Sequence, residues 1–150
     1  MTSNSGAVST GTVTIVAVAP GLLAANADGK GVPAASALRG AANGAQSPVA
    51  VFQCDNAGKN CTPVPIDLGA ATDVVVITLY GSGFRNNTSG VQVTIGGVDA
   101  PVLFAGAQGS FQGLDQANVQ IPSSLRGQGE VNLVLTADGK TANTVTINVQ

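Results

Sequence analysis

The chain has 150 residues and a net charge of −2, with 44% hydrophobic, 9% charged and 3% aromatic residues. That length buries one full core, and with so few aromatics Val, Ile, Leu and Ala must fill it. The scattered Lys and Arg argue against nucleic-acid binding, which needs clustered cations, and the apolar content argues against a disordered chain.

Residues 2–11 are small and polar and read as a flexible leader. They lack the charged start and apolar centre of a signal peptide, so the sequence reads as a mature protein or an excised fragment. The most apolar run, residues 15–25, is broken by Pro20-Gly21 and falls far short of the ~20 residues of a membrane helix. No membrane insertion is expected.

Residues 12–18 (Thr12, Val13, Thr14, Ile15, Val16, Ala17 and Val18) alternate as a strand, and Pro20-Gly21 stops it. Residues 24–31 form a turn region ending in Asp28-Gly29-Lys30-Gly31. Residues 32–44 are rich in Ala, which favours helix, but their glycines favour extended chain; a short strand is expected over 34–38. Residues 49–53 and 64–68 are expected to pair as a hairpin, with Pro63 and Pro65 putting the second arm at an edge.

Cys54 and Cys61 lie across that turn, in FQCDNAGKNCTP. The intervening Asn and Gly residues bring such positions within disulfide range. Two free thiols are the alternative; zinc would need more ligands, and a redox motif a closer spacing. A disulfide implies an oxidising compartment.

Residues 74–80, VVVITLY, are almost wholly apolar, as for a central strand covered on both faces. Gly81-Ser82-Gly83 then marks a sharp corner or bulge with close backbone approach, and Phe84 is expected to plug the end of the core. After an exposed loop, Val91, Val93 and Ile95 alternate with polar residues, Gly96-Gly97 fits a two-residue hairpin turn, and 101–105 is the return strand. Ala117, Val119 and Ile121 mark another strand, which Pro122 ends. A single helical turn is expected within 123–129. Val131, Leu133 and Leu135 alternate, Asp138-Gly139 turns the chain, and 144–149 closes it. Val75, Ile77, Leu79, Val93, Ile95, Val119, Leu133 and Ile147 are expected to share one core.

The fold class is therefore all-β: an immunoglobulin-like antiparallel β-sandwich of about nine short strands with an extra N-terminal strand. Residues 1–22 are expected as leader and joining strand, and 23–150 as the sandwich.

No catalytic residue, cofactor site or metal site is expected. With no His, general acid–base chemistry has little to draw on. Asp67 and Asp73 flank a loop and read as solvated carboxylates. Ser82 lies in G-S-G, without the G-x-S-x-G elbow or a His to activate it. Asp28 and Asp138 sit in turns too poor in oxygen ligands for calcium. Lys30, Lys59 and Lys140 fall in turns, away from the core strands where an isopeptide crosslink would form.

Residues 73–150 resemble the IPT/TIG domain through ITLYGSGF (77–84), VQVTIGGVDAPVL (91–103) and the run from VQIP (119–122) to INV (147–149). From Val13 onward the chain also resembles the C-terminal immunoglobulin-like repeat region of large secreted proteins of Acidobacteria and similar bacteria, through APGLL (19–23) and LDQANVQIP (114–122). The resemblance implies a secreted or cell-surface bacterial protein and the sandwich fold, and carries no activity to particular residues.

The leading expectation is a non-catalytic structural module whose partners are copies of itself or adjacent Ig-like modules. Residues 11–16, GTVTIV, nearly repeat 143–148, NTVTIN. The N-terminal strand is thus read as an assembly strand, able to add to another subunit and build a filament. The alternative is a carbohydrate- or protein-binding accessory domain, which would need exposed aromatics; Tyr80 and the four Phe are expected mostly in the core.

Overall fold

The computed structural model describes residue 8 and residues 10–150. Most of the polar leader lies outside the described residues. The described residues form β1 (Gly21–Leu22), β2 (Ala35–Gly40), β3 (Gln46–Val49), β4 (Phe52–Cys54), β5 (Cys61–Pro63), β6 (Val74–Ser82), β7 (Val91–Ile95), β8 (Val98–Ala100), β9 (Val102–Ala107), β10 (Asp115–Gln120), β11 (Gly129–Ala137), β12 (Lys140–Thr141) and β13 (Val145–Val149), with one 3₁₀ turn at Ser123–Leu125. The antiparallel sheets make the expected immunoglobulin-like sandwich.

The first sheet runs β3-β2-β6-β10-β9, with β1 paired to the end of β6; the second runs β12-β11-β7-β8, with β13 beside β11. Between them lies one core, and all eight residues expected to share it do so. Alternation builds it. Val75, Ile77 and Leu79 of β6, Val119 of β10, Leu133 of β11 and Ile147 of β13 are buried. Their neighbours along each strand turn outward because successive side chains leave opposite faces of a sheet.

The glycine signals act as expected. Gly96 and Gly97 both have positive φ and close the β7–β8 hairpin, as a twist-matched two-residue turn requires. Gly83 has φ +79°, and Phe84 after it is fully buried at the core's end.

Several expectations are corrected. Residues 74–80 do lie in a central strand, but β6 is buried on one face only, with Val76, Thr78 and Tyr80 half-exposed on the other. An apolar run thus came from β-branched residues on an open face. The cysteine hairpin is β4 with β5, extended only by Val64 N–H donating to the Val51 carbonyl (3.0 Å), and the chain then leaves it for the second sheet, where Ile66 bridges Val149 in parallel. Strand β3 had no signal: QSPV is polar and carries Pro48, which an edge strand tolerates. The return strand after Gly97 is two strands. The chain changes sheets at Pro101, so β8 pairs with β7 and β9 with β10. Of the aromatics, Phe84 alone is fully buried, Phe52 and Tyr80 are half-buried, and Phe104 and Phe111 are exposed, because β9 is an edge and Phe111 sits on a loop.

Residues 12–16 join no ladder in the single chain. A strand persists only where a partner takes its N–H and C=O groups; residues 10–17 are exposed, and Val18 after them is buried. Val18 and Leu22, both within the stretch 1–22 expected as leader and joining strand, belong to the common core.

Ile77 has no exposed surface and sits at the centre of the first sheet. Ile77→Ala is expected to cost about 2–5 kcal/mol in a urea titration. A loss under about 0.5 kcal/mol, the scale of a surface substitution, would place Ile77 outside the core.

Candidate functional site

The region with the most specific local chemistry is the end of the sandwich where the N-terminal segment enters. It is built on the corner after β6. A Cβ on Gly83 would collide with the carbonyl of Ala19, and one on Gly81 with the carbonyl of Gly21. The two glycines therefore admit residues 19–21 as a crossing strand. Ala19 N–H donates to the Gly83 carbonyl (2.9 Å), β1 pairs with Gly81 and Ser82, and Leu23 N–H donates to the Tyr80 carbonyl (2.9 Å).

The corner is held from inside by Asp115. It is the first residue of β10 and the one fully buried charged side chain among the described residues. One carboxylate oxygen accepts the N–H groups of Phe84 (2.8 Å) and Arg85 (3.0 Å), and the other accepts Arg85 Nε–H. Arg85 Nη2 also donates to the Leu114 carbonyl (2.7 Å). A buried carboxylate costs several kcal/mol of lost hydration unless donors replace the water; here backbone and guanidinium donors do so. No sequence reading singled out this pair. The signal was present, since Asp115 falls in register with Ala117, Val119 and Ile121 on the inward row.

Two asparagines act as short pieces of strand. Asn143 accepts Leu22 N–H (2.8 Å) and donates to the Leu22 carbonyl (3.0 Å) and to the Gly29 carbonyl (2.7 Å). Asn26 accepts Cys61 N–H (2.7 Å) and donates to the Cys61 carbonyl (3.0 Å). Each side-chain amide thus satisfies both backbone groups of one residue, as a ladder partner would. Lys140 Nζ adds a bond to the Val18 carbonyl (2.7 Å). The segment is pinned from Val18 to Leu23, while Val13 and Ile15 before it are 89% and 94% exposed.

Cys54 and Cys61 face each other across β4 and β5 and form the disulfide. In the chain-entropy account a loop this short stabilises by about 2–3 kcal/mol.

The other singled-out residues are scattered structural groups. Asp67 takes Arg39 Nη1 (2.9 Å) and Gly69 N–H (2.8 Å), and Asp73 takes Ala70 N–H (3.1 Å). The Gly69 N–H and the Arg39 guanidinium hold the Asp67 carboxyl below its ordinary range. Ser82 is the exposed last residue of β6, paired with Gly21. Asp138 caps the loop after Phe84 by accepting the N–H groups of Ser89 (2.7 Å) and Thr88 (3.0 Å), and those bonds lower its carboxyl pKa. Asp28 accepts Lys30 N–H within its turn (3.2 Å). Among the described residues no group of three or more His, Cys, Asp or Glu could hold a metal, and no helix is long and apolar enough to cross a membrane. What the arrangement can do is mechanical: it fixes where the N-terminal segment leaves the body.

The sequence profile described as the IPT/TIG domain matches residues 69–150. No curated protein and no solved structure matches the chain. The matched region contains β6 to β13, so β1, β2 and β3 complete the first sheet from outside it.

Asp115→Ala is expected to cost about 3–5 kcal/mol in chemical denaturation, the scale for breaking a buried ion pair. Arg85→Ala is expected to cost less, because its side chain is 31% exposed and its backbone N–H still reaches Asp115. A loss below about 1 kcal/mol at Asp115 would show that packing alone holds the corner.

Proposed function

Because the chain belongs to the IPT/TIG domain family, whose members are in general non-catalytic modules, we propose that it is a structural module of a bacterial extracellular or cell-surface protein. In this reading residues 12–17, the exposed part of the expected assembly strand 12–18, join one copy to the next by adding to a free sheet edge, while Val18 stays in its own core, so that copies link head to tail. The observation that carries it is the exposure of Val13 and Ile15, at 89% and 94%, in a segment with the alternation of a strand and no ladder of its own. Its near repeat, β13, is a working strand of the second sheet, so the same side-chain pattern does suit a sandwich. The disulfide fits an oxidising compartment outside the cell.

Strand β9 is the best acceptor. It is the terminal strand of the first sheet, it spans Val102–Ala107, and it carries no Pro and no charge. Charges and prolines are what usually blunt a free edge. At the opposite edge β3 is shorter and contains Pro48.

Deleting residues 1–16 removes the exposed segment and leaves Val18 in the core. The full chain is expected to show a mass that rises with concentration in light scattering. The shortened chain is expected to stay monomeric and to bind a peptide of residues 8–18. A full chain that is monomeric at every concentration would overturn strand addition and leave a plain spacer module.

A further inference from the structure

Beyond any joining of copies, the outer face of the first sheet has a chemistry of its own. Cross-strand partners share a face, so the register places Ser36, Thr78, Asn118 and Phe104 in one row across β2, β6, β10 and β9. The adjacent row holds Tyr80, Gln116 and Gly106. None of the outward residues of these strands is an acid or a base other than the Tyr80 phenol.

The aromatics on this face are arranged as platforms. Phe104 is 45% exposed, and its ring lies down over Gly106, where a Cβ would come within 3.2 Å of Cζ. Glycine at 106 is thus what lets the far end of the ring rest against the strand while much of the side chain stays open to solvent. Phe104 on β9 and Tyr80 on β6 are two strands apart, or about 10 Å. Beyond Tyr80 an apolar groove of about 320 Å³ is walled by Leu23 and by Phe111, which is 68% exposed.

Between the platforms lies a row of amides. Asn118 Oδ1 accepts from Thr78 Oγ1 (3.2 Å) and Gln116 Nε2 (2.8 Å). Those bonds fix both amides and leave the Asn118 Nδ2 donors and the Gln116 Oε1 acceptor with no protein hydrogen-bond partner among the described residues, on side chains that are half-exposed.

We propose that this face binds a neutral polysaccharide. Flat aromatic rings match the apolar C–H faces of sugar rings, and fixed amides match hydroxyl groups, which both donate and accept. A face without acids or bases offers nothing to a charged polymer, so the ligand is an uncharged sugar chain. This corrects the expectation that the aromatics are mostly buried, which had counted against the carbohydrate-binding alternative.

The test is native electrophoresis of the full chain in gels cast with a mixed-linkage β-glucan, a galactomannan or polygalacturonate, with light scattering on the same samples. Retardation is expected in one or both neutral gels and not in polygalacturonate. Phe104→Ala and Phe111→Ala are each expected to weaken it about tenfold, the scale of one lost aromatic contact. Gly106→Ala is expected to weaken it too, by lifting the Phe104 ring without removing it. All three sites are on the surface, so an unchanged melting curve confirms the fold. No retardation in either neutral gel, or retardation that survives the Phe104 and Phe111 changes together, would overturn the proposal. So would a Phe104→Ala change that alters only the oligomeric mass, which would give the face to a second copy of the chain.

Discussion

A carboxylate with no exposed surface governs the end of this sandwich. Asp115 stands where the inward row of β10 calls for an apolar side chain. It takes the N–H groups of Phe84 and Arg85 and the Arg85 guanidinium. The backbone cannot continue β6 as a straight strand and still point two successive N–H groups at one oxygen. The turn at Gly83 is the conformation that does so, and it drops the Phe84 ring into the core. Truncating the acid would leave those donors without a partner in a low-dielectric site, which is costlier than never having had the bond.

The same corner admits the N-terminal segment. Because Gly81 and Gly83 lack a Cβ, residues 19–21 cross against their backbone, and β1 extends the first sheet. Asn143 then ties Leu22 to the second sheet's side of the molecule, and Asn26 ties the disulfide hairpin to the turn between β1 and β2. The residues outside the family region are thus built into the sandwich. The point where residues 10–17 leave it is held by backbone and side-chain hydrogen bonds at residues 18–23.

Much of the fold was legible because alternation and glycine turns are local signals. The β7–β8 hairpin, the corner at Gly83, the plug of Phe84 and the cysteine hairpin each announce themselves within about ten residues of sequence. What stayed hidden depends on pairing between distant segments. Nothing local in QSPV says that it will lie beside β2, and nothing in VDAPVLF says that the strand changes sheets at Pro101. The Arg85–Asp115 pair spans 30 residues. An exposed edge also looks like core when its residues are Leu and Phe, which is why the aromatics as a group read as mostly buried although Phe104 is exposed. The N-terminal segment shows the converse: its alternation is that of a strand, but a strand exists only where another chain segment completes it.

The most direct measurement is amide hydrogen exchange resolved at single residues. If the Asp115 carboxylate locks the corner, the amides of Phe84 and Arg85 open only with the whole domain. They should then exchange as slowly as those of Ile77 and Val119, although they lie just past the end of a strand. Exchange as fast as at the exposed turn around Gly97, with the core amides still protected, would mean that the corner opens on its own and does not hold the N-terminal segment in place.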